Sequence, residues 1–232
     1  MIGSISGATA TKFTVHYNLF GGSIVALHTD RHKWIFDLID SLDITGCFCL
    51  TELGYGNNAV KMETTAHYDE KTQEFIIDCP TVASQKYWIT NGAVHANYAL
   101  VFAQTYVKGK HEGINAFLVP IRDKNLKAYP GVEINDMGIK LGLNGVDNAA
   151  LKFHSVRIPR TNMMNRYADV NEQGTFSSEI KGIQQRFFKV TERLLSGRLC
   201  IASMMLGAIK STIYTTVKYS QQRKGVSPNG NS

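Results

Sequence analysis

Two short segments carry the residues that could do chemistry. The first is Cys47-Phe48-Cys49-Leu50-Thr51-Glu52-Leu53-Gly54-Tyr55-Gly56-Asn57-Asn58, which sets a hydroxyl, a carboxylate and two glycines between strand-like runs. Closely spaced glycines let backbone approach a flat ring or a phosphate without a Cβ clash. The third glycine of a dinucleotide fingerprint is missing and no helix opens here, which disfavours a Rossmann site; there is no P-loop lysine motif either. As a pattern alone, the segment serves a structural loop and a ligand loop equally well. The second segment is Lys86-Tyr87-Trp88-Ile89-Thr90-Asn91-Gly92. On a strand, Trp88 and Thr90 share a face, so the indole could cover an aromatic ligand while the hydroxyl bonds its edge. On these residues alone, a core tryptophan beside a strand-end threonine is the simpler reading.

Other candidate ligands are sparse. The four cysteines, Cys47, Cys49, Cys79 and Cys200, fit no zinc-binding spacing. Cys47 and Cys49 are expected to face opposite ways on their strand, and all four read as buried small apolar residues in a reducing compartment. His28 and His32 sit one helical turn apart, but no third ligand accompanies them, so they read as surface or packing histidines. The net charge of +6 is unevenly placed. Residues 1–160 carry 15 basic and 15 acidic side chains, whereas residues 161–232 carry 10 and 4. A basic segment suits nucleic acid, anionic lipid or a phosphate-bearing ligand. Without a basic cluster or a reader motif, nucleic acid is disfavoured. Solvated helix faces and a phosphate-bearing ligand remain.

Three textures of sequence must position these groups. Up to about Asp43, Phe13, Tyr17, Phe20, Ile24, Leu27, Trp34 and Leu38 fall at helical steps, which predicts two helices joined near Gly21-Gly22 or Thr29-Asp30. From about Ile44 to Pro159, short apolar or alternating runs (Phe75–Ile77, Ala99–Ala103, Ala116–Val119, Leu151–Phe153) alternate with turn material such as Lys108-Gly109-Lys110. Many short strands without helices between them predict an antiparallel barrel or sandwich. From about Gln184 to Gln222, helical periodicity without proline predicts one helix about 55–60 Å long, whose apolar face has nothing else in this chain to cover it. The whole is expected to be α+β: N-terminal helices (1–43), a central antiparallel β-barrel domain (44–160), and a linker with the first long helix of a C-terminal bundle (161–232).

The totals agree with an ordinary globular chain. Of 232 residues, 44% are hydrophobic and 19% charged, enough for a real core. No stretch of about 18 uncharged apolar residues appears, which disfavours a membrane span. The first residues lack the pattern of a secretion or transit signal, and Ser227–Ser232 carry no Ser-Lys-Leu address. Read by themselves, the ends point to the cytosol or to a chain that has lost its terminus.

In order along the chain, GCFCLTELGYGNN, KYWITNG, ALVFAQ, FLVPIRD, GIKLGLNGVDNAALKFHSVRIPRTNMMNR, SGR and YSQQRK resemble the acyl-CoA dehydrogenase and oxidase superfamily. FLVPIRD, the GLNGVDN loop and VRIPR followed by NRYADV are similar to its peroxisomal acyl-CoA oxidase branch, whereas Thr90-Asn91-Gly92 is closer to the dehydrogenases. The resemblance covers nearly the whole chain and implies a helical domain, a β-barrel and a helical bundle, truncated here at both ends. It also implies roles. Thr51 would hydrogen-bond the ring of FAD, with Cys49 and Leu50 offering backbone groups. In the Trp-Ile-Thr element of Trp88, Ile89 and Thr90, the indole would lie against the isoalloxazine and the threonine would meet its N5 edge. Asn57 would touch acyl-CoA near its phosphates, and Arg198 would lie on the CoA side. Arg223 matches an arginine that pairs with the FAD diphosphate, commonly of a neighbouring subunit, so a homodimer is implied for the full-length form.

By resemblance the reaction is 2,3-dehydrogenation of acyl-CoA in fatty acid β-oxidation, with O2 as acceptor, in the peroxisome. The family's base is a glutamate. At the one position for it within this span stands Gly197, with Glu192 more than a turn away, so no catalytic residue is assigned. The alternative is a non-catalytic acyl-CoA oxidase-like paralogue that binds FAD, acyl-CoA or a partner subunit.

Overall fold

The computed structural model describes residues 2–226 and Pro228. Two short helices, α1 (Ile2–Ile5) and α2 (Gly7–Phe13), lead through a wider π-type stretch, Thr14–Gly21, into α3 (Gly22–Leu27). Gly21-Gly22 therefore does not break the helix: both glycines have helical dihedrals. The break falls at His28–Thr29, the other expected position. A 3-10 turn, Asp30–Ile35, and α4 (Phe36–Asp40) then lead to the sheets.

The strands are β1 (Gly46–Cys49), β2 (Thr65–Asp69), β3 (Glu74–Asp78), β4 (Lys86–Thr90), β5 (Tyr98–Val107), β6 (Lys110–Pro120), β7 (Val132–Asp136), β8 (Asn148–Phe153), β9 (Val156–Pro159), β10 (Ala168–Val170) and β11 (Phe176–Ser178). Six of them (β1, β5, β2, β3, β9 and β6) form one curled sheet, β4-β8-β7 form a second, and β10-β11 form a hairpin. The expected α+β arrangement of helices, a curled barrel-like sheet domain and a C-terminal helix is present, and its pairing departs from antiparallel in one respect. β1 and β2 both run parallel to β5 and share one of its edges end to end, β1 opposite Tyr98–Val101 and β2 opposite Gln104–Tyr106. Parallel pairing needs a long connection between the strands, and that connection cannot be read from local turn signals.

The central hairpin of β5 and β6 is buried on both faces, which is why its sequence runs almost continuously apolar instead of alternating. Ala99, Val101, Ala103, Phe117 and Val119 face a core shared with Phe75, Ile77, Leu151 and Phe153. Leu100, Phe102, Ile114 and Leu118 face the helices, against Phe20, Ile24, Ile35 and Phe187. Cys47 and Cys49 lie in the first core with their sulfurs 3.7 Å apart. The expectation of opposite faces fails because residues i and i+2 of a strand share a face. Burial pushes the Cys47 and Cys79 thiols up, whereas Cys200 is exposed on a helix, against the reading of four buried thiols.

The C-terminal periodicity resolves into two helices, α5 (Ile183–Val190) and α6 (Arg193–Gln222). The expected single rod breaks at Thr191-Glu192, where the Thr191 hydroxyl donates back to Phe187 O at 2.8 Å and the backbone leaves helical values. α5 packs on β6, and its Phe187 and Val190 join the second core. α6 is about 45 Å long, and Leu195, Leu199, Leu206, Ile209 and Ile213 stay exposed along it. By length and composition the run Ile183–Gln222 is apolar enough to cross a membrane, and its most apolar stretch is almost wholly exposed; seven charged residues, from Arg186 to Lys218, interrupt the run. A bundle helix without its neighbours has the same composition.

Two buried histidines tie the N-terminal helices to the sheets. His16 accepts from Gly46 N–H at Nδ1 (3.1 Å) and donates from Nε2 to Ile39 O (3.1 Å). His32 accepts from Thr29 N–H and donates to Met163 O. Each is neutral in this arrangement, and burial lowers the pKa of both rings. In the unfolded chain they titrate near the ordinary value of about 6.5. Acidification below that value protonates the unfolded chain first, so stability present above it is lost as pH falls toward the depressed folded values. Thermal melts are expected to show a drop in Tm between about pH 6.5 and 5, and His32→Gln should flatten that drop. A slope identical in the variant would count against His32 as a source.

Candidate active site

The chain leaving the end of β1 runs antiparallel past the start of β4, with Glu52 opposite Lys86, and opens there into a cleft of about 700 Å3. Its floor comes from Phe48, Leu50 and Thr51 on one side and Trp88, Ile89 and Thr90 on the other. Gly56, Asn57 and Ala59 form one wall, and Phe187, Thr191, Glu192, Leu195 and Arg198 form the other. The two halves are joined by backbone: Tyr87 N–H donates to Thr51 O (2.9 Å) and Leu53 N–H to Gln85 O (3.0 Å). Glycines serve two purposes here. A Cβ on Gly54 would stand 2.7 Å from that of Ala83, whereas Gly56 takes φ +49° at the cleft wall with open space around it.

Trp88 occupies a β-bulge. Lys86 pairs with Leu151 and Ile89 with Ala149, so β4 spends one residue more than β8. The extra residue takes φ +65°, an outlier for a bulky side chain, and Trp88 is 56% exposed in the cleft. The bulge re-aims a ring that regular alternation would have buried. Thr90 Oγ1 accepts from Asn148 Nδ2 at 3.2 Å, which leaves its own hydrogen free to donate.

Of the residues singled out from the sequence, Leu50, Thr51, Asn57, Trp88, Ile89, Thr90 and Arg198 line this one cleft. Cys49 stands next to it on β1 with its side chain in the core. Arg223 does not come near. It follows the last turn of α6, 25 residues beyond Arg198, on the order of 37 Å along the helix. It cannot serve this chain's own cleft. Sequence reasoning missed the apolar lining of Phe48, Phe187 and Leu195, because such residues have the same spacing in a core. It also missed the position of Glu192, the only carboxylate among the described residues that line the cleft.

Residues 47–156 match the model of the acyl-CoA dehydrogenase middle domain. Across 98% of its length the chain is 44% identical to the peroxisomal acyl-coenzyme A oxidase 2 of Arabidopsis thaliana, 34% of which it covers. Residues 47–156 carry an acyl-CoA dehydrogenase middle domain, and the chain is homologous to peroxisomal acyl-CoA oxidases along nearly its whole length. Among solved structures, acyl-CoA oxidase 1 from Yarrowia lipolytica superposes on 98% of the chain with a TM-score of 0.89 and 33% identity, and the match covers 33% of that oxidase. Acyl-CoA oxidase-1 of Caenorhabditis elegans, complexed with FAD and ATP, matches 71% of this chain and 26% of that one at 39% identity and a TM-score of 0.68. The chain spans between about a quarter and a third of the length of these oxidases.

Proposed function

We propose that the chain is the flavin- and acyl-CoA-binding part of an FAD-dependent acyl-CoA oxidase, acting in peroxisomal fatty acid β-oxidation. The observation that carries this is the convergence of Thr51, Trp88 and Thr90 on one cleft. An outward-turned indole with two hydroxyls at its edge suits a planar heteroaromatic ring that is apolar on its faces and polar along its rim. The cleft's volume also falls in the range that encloses a cofactor-sized ligand.

Bound there, FAD would supply hydride acceptance from the β-carbon of the thioester and pass electrons to O2. The chain's own residues bind and orient. Trp88 covers one ring face, Thr90 donates from an O–H held by Asn148, and Leu50 and Thr51 offer hydroxyl and backbone groups at the other edge, with Cys49 backbone just behind. Asn57 and Arg198, on opposite walls, suit the polar and phosphate-bearing part of acyl-CoA. In this reading residues 44–160 form the binding domain between the helices of 1–43 and the bundle segment of 161–232. Arg223, too far for its own cleft, would meet the diphosphate of a second copy in a homodimer.

A base must remove the α-proton, and we place it outside these residues. Glu52 is fully buried and its carboxylate is taken up by Lys86, Glu63 N–H and Thr64. Glu192 is 60% exposed and pairs with Lys189 at 3.3 Å.

The test is flavin retention. Trp88→Ala removes the aromatic cover and is expected to weaken FAD binding by about 1–3 kcal/mol, read by fluorescence titration with FAD. Affinity equal to that of the unaltered chain would exclude this placement of the ring.

A further inference from the structure

The long edge of β5 has a gap. β1 accompanies it as far as the pair Cys49–Val101, and β2 takes over at Thr65–Gln104. Between them the chain leaves the sheet as the 50–64 excursion, which carries Thr51, Gly56 and Asn57 to the cleft. Backbone carbonyls left in such a buried gap need donors. Lys86 supplies them from β4, with Nζ donating to Phe102 O at 2.7 Å and to Leu50 O at 3.4 Å. The same ammonium pairs with Glu52 at 2.9 Å, and both side chains have 0% exposure. Glu52 closes the other end of the excursion, accepting from Glu63 N–H (2.8 Å), Thr64 N–H (3.0 Å) and the Thr64 hydroxyl. One buried ion pair thus ties both ends of the loop to β5 and to the strand of Trp88, two residues before that ring.

We infer that Glu52 and Lys86 are positioning residues for the flavin site: their ion pair sets the approach of Thr51 to Trp88 and Thr90, and so the grip on the flavin edge. The inference rests on the flavin reading above. The backbone bonds between 51–53 and 85–87 are the rival explanation. They fix the local direction of pairing, and Gln104 N–H donating to Thr64 O (2.8 Å) holds the far end of the excursion on β5, but none of these bonds links that end to Leu50 O and Phe102 O, which only the ion pair does. A fully buried ion pair contributes little net stability compared with apolar replacements of the same shape. Its distinctive contribution here is geometric.

The experiment compares the 232-residue chain with the double variant Lys86→Met/Glu52→Gln, both carrying Trp34→Phe. The chain has two tryptophans, so Trp88 is then the only one. Tm, FAD affinity, the visible spectrum of bound flavin and acrylamide quenching of Trp88 are measured. The double variant leaves neither charge unpaired but still strips Phe102 O and Leu50 O of their donor, so its Tm should fall less than that of either single variant. Its FAD affinity should fall on the order of 10-fold, with a shifted flavin band, because small misplacements at a site are costly. Trp88 quenching should change even without FAD. Retained affinity and an unchanged spectrum would overturn the inference, as would a loss of affinity that merely tracks Tm. If the double variant does not fold, Thr64→Val removes one donor to Glu52 and should weaken FAD about threefold; unchanged affinity there is equally fatal. No uptake by the parent overturns the flavin reading and the positioning role with it. Failure of the pair alone looks different: the parent binds and the variant binds equally well.

Discussion

Lys86→Ala alone is expected to lower the free energy of unfolding by about 3–5 kcal/mol, and Glu52→Ala by a similar amount. Either change strands one charge in a region with no exposure, and loss of Lys86 also leaves Phe102 O and Leu50 O without their donor. The larger part of the cost comes from stranding one charge, and replacing both partners avoids that part; the two carbonyls left by Lys86 remain without a donor. A denaturant titration would read the loss as a fall in midpoint with little change in slope. Arg157→Ala provides the contrast. Arg157 bridges Asp69 and Glu74 at 3.1 and 3.0 Å on the surface, with 46% of its side chain exposed. Its removal should cost less than about 1 kcal/mol. Equal losses from the two sites would mean that the Glu52–Lys86 pair is hydrated in solution and that its burial is not maintained.

How far the sequence could be read follows from where its signals are local. Helical and strand textures are periodicities within one segment, so the order of helices, sheets and helices was legible, as were the turns around Lys108-Gly109-Lys110. The edge of β5 was not. Which strands share it is decided by a connection of nearly fifty residues between Cys49 and Tyr98, and nothing in β1 or β2 announces a parallel partner. The kink at Thr191-Glu192 escaped for a related reason. Neither residue breaks a helix by type, and the bend depends on α5 packing against β6 while α6 packs against the N-terminal helices.

The site divides in the same way. Thr51, Trp88 and Thr90 were legible as chemically apt residues, and the resemblance of their segments to known oxidases singled them out. Their meeting depends on the antiparallel contact between 51–53 and 85–87, which only the folded chain displays. The conformation of Trp88 was hidden as well. Positive φ is read from glycine or asparagine, and a tryptophan there is stabilised by its surroundings, not by its own preference. Lys86 and Glu52 were hidden for the opposite reason: charged residues in a sequence are read as solvated, and burial of both is visible only in three dimensions.

The 232-residue chain by itself is not expected to oxidise acyl-CoA. Abstraction of the α-proton of a thioester needs a positioned base, and general-base contributions are typically about 10²–10⁴-fold. Of the two glutamates nearest the cleft, Glu52 is ruled out by geometry, since its oxygens are engaged by an ammonium, two backbone N–H groups and a hydroxyl inside the fold. Glu192 does line the cleft, but it lies at the junction of α5 and α6, exposed and already paired with Lys189. The exposed apolar face of α6 adds a second handicap, since association through it would compete with an ordered cleft. The assay is peroxide release from a saturated acyl-CoA with added FAD, run beside the same sequence extended to the length of its relatives. Turnover only in the extended form would support the oxidase reading with the base outside these residues. Comparable turnover in both would make Glu192 the base, and Glu192→Gln should then abolish it. Silence in both, with FAD still bound, would favour a non-catalytic relative that keeps the flavin cleft for binding alone.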